Sequence, residues 1–253
     1  MTTLKKLTII IMTEIIPAIL PENIEELRSQ MSRVSGLVPL VQVDVCDGKF
    51  VPHKSWPYVK GGMEELNNIV AENEGFPFWD SLEFEADLMV RHPEEIVFDW
   101  IKAGARRIVL HLGSGPRLLE LVEKIRDEHG TARDSEYGIE IGVAVHMDND
   151  NAEVYPFLDL VDEGGYPIID FVQFMGIDNV GFQHQEFDDR VLEKISDLRG
   201  MYPDIEISVD GGVGFDNASD LISAGATRLI SGSTIFDSED VAEAIHDLRN
   251  SGE

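Results

Sequence analysis

Eight short apolar runs, rich in β-branched residues, recur along the chain, and this recurrence constrains the fold more than any other feature. They cover residues 15–20, 37–45, 82–88, 107–112, 139–146, 168–175, 205–209 and 228–231. Most are almost continuously apolar, which is typical of parallel strands covered on both faces. Helical patterns fill the gaps. Strands that alternate with helices in this way predict a (β/α)8 TIM barrel.

The helical patterns cover residues 22–34, 63–71, 93–103, 116–129, 152–161, 191–201, 215–224 and 238–249. An open doubly wound sheet is the alternative arrangement. No GxGxxG follows the first strand, which disfavours a dinucleotide-binding version of that sheet. No segment resembles a linker, so residues 1–253 are predicted to form a single domain. If Met12 is the natural start, residues 1–11 are an N-terminal extension.

One loop insertion, residues 72–80, carries three aromatic side chains. Phe76, Phe78 and Trp79 could form a lid over a site, a contact in a homo-oligomer, or packing against the outer helices. All three alternatives are open at the level of the sequence, and exposed apolar insertions of this kind suggest a homo-oligomer.

The chain carries 48 acidic and 20 basic residues, a formal net charge of −28. Such a surface repels nucleic acid and anionic lipid, so neither is an expected partner. It fits both a protein adapted to high salt and an ordinary acidic cytosolic protein. The apolar run at residues 7–12 is too short to span a membrane. The single cysteine, Cys46, cannot form an internal disulfide, and a reducing compartment, the cytoplasm, is the expected location.

Polar residues stand where the predicted strands end, and in a barrel such positions converge on one pocket. They are Gln42, Asp44, Asp47, Asp87, His111, His146 and Asp210. A buried carboxylate is costly unless it is paired, protonated or bound to a metal. Any one aspartate could simply order a loop, and either histidine could be a hydrogen-bonded core residue. Three aspartates that point into the same pocket at the strand ends favour a functional site.

Two glycine-bearing turns follow the last two strands. The first contains Gly211 and Gly212, and the second contains Gly232 and Ser233. Each turn opens a helix, so bare backbone N–H groups can face an anion there. Phosphate-binding barrels hold their phosphate at this position, so a phosphorylated ligand is compatible with the acidic composition.

Six motifs in order resemble those of ribulose-phosphate 3-epimerases, and the resemblance extends along nearly the whole chain. Residues 43–52 read Val-Asp-Val-Cys-Asp-Gly-Lys-Phe-Val-Pro, similar to the family's Asp-Val-Met-Asp-Gly-x-Phe-Val-Pro. The other five motifs lie at residues 16–20, 87–90, 175–187, 209–213 and 232–236. The resemblance implies a barrel of the ribulose-phosphate-binding type and an isomerase that inverts C3 of a ketose phosphate through an enediolate.

The resemblance also implies roles for individual residues. Asp44 and Asp210 correspond to the family's acid/base pair, one on each face of the sugar. The expected phosphate-binding residues are Gly181, Gly211, Gly212, Gly232 and Ser233. The expected pocket residues are Ala18, Cys46, Met89, His111 and Met175.

The chain departs from the family where the family binds its metal. The family holds a divalent cation with two histidines and the two aspartates, but Gln42 and Asp87 stand in place of those histidines. The resulting ligand set is Gln42, Asp44, Asp87 and Asp210. It offers only oxygen ligands or an amide, so it suits Mg²⁺ or Mn²⁺ better than Zn²⁺.

Two other functions are compatible with these departures. One is a non-catalytic barrel that binds a phosphorylated sugar. The other is a different phosphosugar enzyme, of the lyase or aldolase type, with His111 and His146 as acid/base groups. No lysine lies in a strand-end motif, which disfavours a Schiff base.

Overall fold

Eight parallel strands close into a barrel in sequence order. The computed structural model describes residues 13–182 and 184–252, so the expected extension at residues 1–11 lies outside the described residues. The strands are β1 (Glu14–Ile19), β2 (Leu40–Cys46), β3 (Glu83–Met89), β4 (Arg107–His111), β5 (Glu140–Val145), β6 (Phe171–Met175), β7 (Glu206–Asp210) and β8 (Arg228–Ser231). Because β1 pairs with both β2 and β8, the predicted barrel is confirmed and the open sheet is wrong.

Helices connect the strands on the outside of the barrel. They are α1 (Ile24–Val34), α2 (Gly62–Val70), α3 (Val97–Lys102), α4 (Leu118–His129), α5 (Tyr155–Asp159), α6 (Arg190–Met201), α7 (Ala218–Ala224), α8 (Ser233–Phe236) and α9 (Val241–Asn250). Local chemistry defines several ends. Asn23 caps α1 by accepting the backbone N–H of Glu26 at 2.8 Å, and Asp240 caps α9. Within the described residues, every helix is too short or too polar to cross a bilayer.

Three helical segments differ from the expectation. The pattern at residues 152–161 predicts one helix, but the structure has a 3₁₀ turn at Asn151–Glu153 and then α5. The pattern at residues 93–103 predicts one helix, but the structure has a 3₁₀ turn at Pro93–Glu95 and then α3. His92, at φ 64°, precedes that turn in the left-handed region. The turn after β8, expected only to open a helix, contains the short helix α8, which precedes α9 and packs against it.

Alternate residues of each strand face opposite sides of the barrel wall. In β2, Val41, Val43 and Val45 belong to the large apolar cluster between the barrel and its helices. The intervening positions of β2 hold Gln42 and Asp44, which therefore face the interior. The polar residues within apolar strands thus mark inward positions.

Five charged side chains form a layer at the N-terminal end of the barrel, here called the lower ion layer. They are Glu14, Glu85, Arg107, Glu140 and Arg228. The Arg107 guanidinium lies 2.9 Å from Glu140 and 3.2 Å from Glu14. Arg228 lies 3.2 Å from Glu14 and 3.3 Å from Glu140. Two arginines therefore balance the acids that begin strands β1 and β5.

The aromatic insertion lies between α2 and β3, at the end of the barrel opposite the strand C-termini. A loop at that end cannot cover a site at the strand C-termini, so the lid alternative is wrong. Phe76 is buried and stacks on Phe84 with ring centroids 3.8 Å apart. Trp79 remains 75% exposed. Packing onto the outer layer accounts for Phe76, and the homo-oligomer stays a prediction.

Candidate active site

A cavity of about 160 Å³ opens at the C-terminal ends of the strands. Asp44 and Asp210 line this cavity, and so do the glycine-bearing turns that follow β7 and β8. Its lining residues include Ala18, Asp44, Met89, Met175, Gly181, Asp210, Gly211, Gly212, Gly232 and Ser233. The residues expected from the sequence to bind phosphate and to act as acid and base therefore share one cavity.

Two aspartates that line this cavity, Asp44 and Asp210, meet a third, Asp87, which is fully buried. Asp44 and Asp87 are register partners on the adjacent strands β2 and β3, and Asp210 is the last residue of β7. One carboxylate oxygen from each lies within 4.8 Å of the other two. The barrel thus brings together three acids that are far apart in the chain, and we call them the aspartate cluster.

Gln42 joins two members of the cluster. Its side-chain NH₂ group donates to Asp44 Oδ1 at 2.8 Å and to Asp210 Oδ2 at 2.9 Å. Its carbonyl oxygen Oε1 is buried and has no hydrogen-bond partner among the described residues. The amide therefore orients two carboxylates and leaves one buried oxygen unsatisfied, which is costly in an apolar interior.

Burial makes the charged form of these acids unfavourable. Burial first, and then the nearby charges of Asp210 and Asp87, raise the pKa of Asp44 well above its usual value. Burial raises the pKa of Asp87 to about 8 and, together with the charge of Asp87, the pKa of Asp210 to about 7. The cluster therefore retains protons near neutral pH unless positive charge compensates it.

His111 does not line the cavity but lies behind Asp87. Its Nε2 is 2.6 Å from Asp87 Oδ1, and its Nδ1 is 2.8 Å from Nε2 of His146. Burial lowers the pKa of both rings to about 3, so they are neutral at physiological pH. Because both nitrogens of His111 are engaged, this imidazole is not free to bind a metal or to reach a sugar.

The aspartate cluster fits a hard divalent cation. It offers three carboxylates, whereas Gln42 presents its NH₂ group to Asp44 and Asp210, and its role as a metal ligand stays a prediction. No lysine or arginine lines the cavity within the described part of the chain, so no basic side chain there neutralises the acids. Oxygen ligands are those that Mg²⁺ and Mn²⁺ prefer. Three of the four ligands predicted from the sequence therefore lie close enough together to hold one metal ion.

Two of the glycines expected to bind phosphate are required by close contacts. Gly211 has φ 97°, and a Cβ there would lie 2.7 Å from Ile177. Gly212 has φ 69°, and its Cβ would lie 3.0 Å from the Phe187 backbone. Only glycine adopts these conformations in this space without strain. Both positions therefore present bare backbone to the cavity.

Other sequence-predicted residues have supporting positions. Cys46 is buried beside Met89 of the cavity wall, with Sγ 3.9 Å from Met89 Sδ, and burial raises the pKa of its thiol, so it stays protonated. Asp47 orders the following loop, since Oδ1 accepts the backbone N–H groups of Lys49 and Phe50. It thus has the loop-ordering role that the sequence left open.

Sequence reasoning missed Gln173. This buried side chain of β6 donates to Asp87 Oδ2 at 3.3 Å. Its signal was present, because an amide stands alone in the apolar run Phe-Val-Gln-Phe-Met and shares a strand face with Met175. The significance of His146 as the partner of His111 was also missed, because nothing in the sequence pairs the two rings.

A barrel with a polar, glycine-edged cavity at its C-terminal end defines the class of phosphosugar-type TIM barrels. Residues 14–236 match the model of the ribulose-phosphate 3 epimerase family. The chain belongs to this family, as its motifs predict, and the expected enzyme class, an isomerase of the epimerase type, is confirmed.

Two relatives illustrate the match. The chain is 32% identical to the chloroplastic ribulose-5-phosphate-3-epimerase of Arabidopsis thaliana over 245 residues, 93% of this chain and 75% of that protein. It is 28% identical to the ribulose-phosphate 3-epimerase of Bacillus subtilis over 246 residues, 95% of this chain and all of that protein.

Solved structures of lower identity share the fold. KGPDC from Streptococcus mutans superposes with a TM-score of 0.62 at 14% identity, covering 95% of this chain and 97% of that one. The 3-hexulose-6-phosphate synthase from Salmonella typhimurium gives 0.61 at 18% identity, covering 94% and 98%. These likenesses concern the fold alone.

Proposed function

We propose that this enzyme inverts C3 of a ketose phosphate, with Asp44 and Asp210 as the acid/base pair. One observation carries the proposal: both carboxyl groups reach the cavity edged by the glycine turns, and Gln42 bridges them. The C3 proton of a ketose is next to the carbonyl, so its removal gives an enediolate. Return of a proton on the opposite face inverts the carbon.

The reaction needs one carboxylate to accept a proton and one carboxylic acid to donate one. Two neighbouring acids in a buried site do not both ionise readily, because burial and mutual repulsion oppose the second charge. The raised pKa values of Asp44 and Asp210 therefore favour a pair that holds one proton near neutral pH. The hydrogen bonds of Gln42 keep the two carboxyl groups oriented while the proton changes sides.

The aspartate cluster would hold a divalent cation, Mg²⁺ or Mn²⁺ in preference to Zn²⁺, while Gln42 orients two of the ligands through its NH₂ group. When bound, the cation would supply positive charge to the substrate oxygens that become negative. Asp44 and Asp210 would then serve both as ligands and as acid/base groups. Asp87 contributes charge and a ligand oxygen but has no proton-transfer role in this proposal.

The phosphate of the substrate is expected at the glycine-bearing turns of the cavity. Gly181, Gly211, Gly212, Gly232 and Ser233 line the cavity, and no lysine or arginine does so within the described chain. The bare backbone N–H groups of both turns would supply the attraction, so an acidic protein can still bind the anion. A helix, α8, begins directly after Gly232, whereas α7 begins only at Ala218 and the expectation that the Gly211–Gly212 turn opens a helix is wrong. Ala18, Met89 and Met175 form the apolar walls.

The test is proton exchange at C3 in heavy water, monitored by NMR for ribulose 5-phosphate and a panel of related ketopentose and ketohexose phosphates. We expect deuterium at C3 and formation of the C3 epimer for at least one of them. Binding of these compounds without exchange, in the presence of Mn²⁺ or Mg²⁺, would instead support a non-catalytic sugar-phosphate-binding barrel.

The lyase or aldolase alternative has no specific observation in its favour. It requires His111 or His146 as an acid/base group, yet His111 is fully committed to Asp87 and His146. The cytoplasmic location and the homo-oligomer stay predictions.

A further inference from the structure

Asp87 is held from behind by two imidazoles in series, here called the histidine chain. Asp87 Oδ1 and His111 Nε2 are 2.6 Å apart, and His111 Nδ1 and His146 Nε2 are 2.8 Å apart. Asp87 and His111 are fully buried, while His146 is partly exposed and lines a separate cleft with Phe50. The chain thus runs from the aspartate cluster toward the protein surface.

We propose that His111 and His146 are positioning residues, which hold Asp87 so that it offers a single oxygen to the cation. This inference rests on the proposed metal site. Oδ1 is committed to the imidazole, so Oδ2 is the oxygen left for the cluster, steadied by Gln173 at 3.3 Å. A free carboxylate could instead rotate and bind with both oxygens.

When Asp87 is ionised and both rings are neutral, only one assignment of donor and acceptor nitrogens satisfies these two hydrogen bonds. His111 donates its Nε2–H to Asp87 Oδ1, and its bare Nδ1 accepts the Nε2–H of His146. Both rings are neutral, and each nitrogen of His111 has a defined role. His146 therefore selects the tautomer of His111 that donates to the ligand, as partners behind metal ligands commonly do.

Packing holds the histidine chain in place. The Phe50 ring centroid lies 5.5 Å from that of His111 and 5.7 Å from that of His146. The backbone N–H of His146 is fixed by Asn149 Oδ1 at 2.9 Å. Phe50 follows the Asp-Gly-Lys turn that Asp47 orders, so a loop with its own hydrogen bonds supports the two rings.

The three aspartates have different partners. Asp44 and Asp210 share the amide of Gln42, which leaves them free to exchange protons, whereas Asp87 is held by an imidazole. This difference matches the proposed roles, in which Asp44 and Asp210 transfer protons and Asp87 only binds the cation. A residue that only binds the cation benefits from a fixed orientation.

The experiment measures Mn²⁺ affinity directly, from the electron paramagnetic resonance signal of free Mn²⁺, in two matched pairs of variants. His111→Gln and His146→Gln keep a donor near Nε2, and His111→Leu and His146→Leu remove it. His246→Leu is the control, because His246 lies on α9 and its ring pairs with Asn250. Thermal unfolding without metal reports any general structural damage.

We expect His111→Leu to weaken Mn²⁺ binding about 10- to 100-fold, the usual effect of losing a partner behind a ligand. His111→Gln should recover most of that loss, and His146→Leu should give a smaller loss in the same direction. If His111→Leu does not fold, the His146 pair tests the inference by itself, because His146 is partly exposed.

The outcomes separate the inference from the proposed function. If the wild type binds Mn²⁺ and exchanges C3 protons while the leucine variants bind Mn²⁺ equally well, the positioning role is wrong and the function stands. If the wild type binds no Mn²⁺, the metal site and the positioning role are both wrong, and C3 exchange in the same sample shows whether the acid/base pair survives.

Discussion

The two ends of this barrel each bury a group of acids but compensate them differently. At the N-terminal end, Glu14 and Glu140 are paired with Arg107 and Arg228. At the C-terminal end, the partners of the aspartate cluster are neutral, namely the side-chain amides of two glutamines and the ring of His111. Arginines balance the first group of acids, and no lysine or arginine of residues 13–182 and 184–252 forms an ion pair with the second.

The difference separates a structural layer from a site. Burial raises the pKa of Glu85 to about 8, so this third acid of the lower ion layer can stay protonated while two carboxylates balance two guanidinium groups. The aspartate cluster has no such internal balance and must take up protons or a cation. Buried acids therefore indicate function here only where the chain supplies no counter-charge.

The largest expected effect is on the reaction rate, after a substitution at the C-terminal end of the barrel. Asp210→Asn keeps the shape and the bond to Gln42 but removes the proton-accepting group. We expect the rate of C3 exchange to fall about 10²- to 10⁴-fold, measured by NMR in heavy water. Glu85→Gln, the matched change in the lower ion layer, should leave the rate unaltered. Equal losses in both variants would erase the distinction between the two ends.

The next effect is on stability at the lower end. Arg107→Met leaves Glu14 and Glu140 with too little positive charge in a partly buried layer. We expect the free energy of unfolding, from urea denaturation, to fall by about 1–3 kcal/mol. Arg117→Met, at a side chain 72% exposed, should not shift the unfolding midpoint measurably. A small loss for Arg107→Met would show that the layer is not held by its charges.

Cation binding at the aspartate cluster should stabilise the folded protein, and the lower ion layer should play no part in this gain. With free Mn²⁺ at about 100 times its dissociation constant, the protein should gain about 2.7 kcal/mol in free energy of unfolding. The gain should be lost in Asp87→Asn and kept in Glu85→Gln. Urea denaturation with and without EDTA measures it, and a gain that persists in Asp87→Asn would place the cation elsewhere.

The smallest effect is on the pH dependence of the metal-free protein. Asp87 and Asp210 have folded pKa values of about 8 and about 7, above the unfolded value of about 3.9. The folded state therefore binds more protons, so its stability is full at low pH and is lost as pH rises through 7 and 8. The expected slope is at most about 1.4 kcal/mol per pH unit for each carboxyl.

The histidines act in the opposite direction over a lower range. Their folded pKa values of about 3 lie below the unfolded value of about 6.5, so their contribution is complete above pH 6.5 and falls in acid. Urea denaturation between about pH 6.5 and 8, in a Glu85→Gln background, therefore isolates the aspartates. Saturating Mn²⁺ should abolish the fall, and a fall that persists with the cation would contradict a filled aspartate cluster.

Much of the fold could be predicted from the sequence, because the patterns that define strands, helices and turns are local. The period-two alternation in β2 and the helical stripes around the barrel predict the elements, and the glycine turns predict a phosphate side. The boundaries near Pro93 and the short helix α8 were not predicted, because packing against neighbouring elements decides where a helical turn continues. The role of the aromatic insertion also needed the barrel, which places residues 72–80 at the end away from the mouth.

The sequence by itself determined the barrel, the family and the three strand-end aspartates, because strand periodicity and motif order are properties of the chain. Only the tertiary structure decided that Gln42 bridges Asp44 to Asp210, 168 residues away from the glutamine, and that His111 stands behind Asp87 instead of facing the cavity. Those contacts join strands across the barrel, and side-chain direction there depends on packing between strands that no local pattern records.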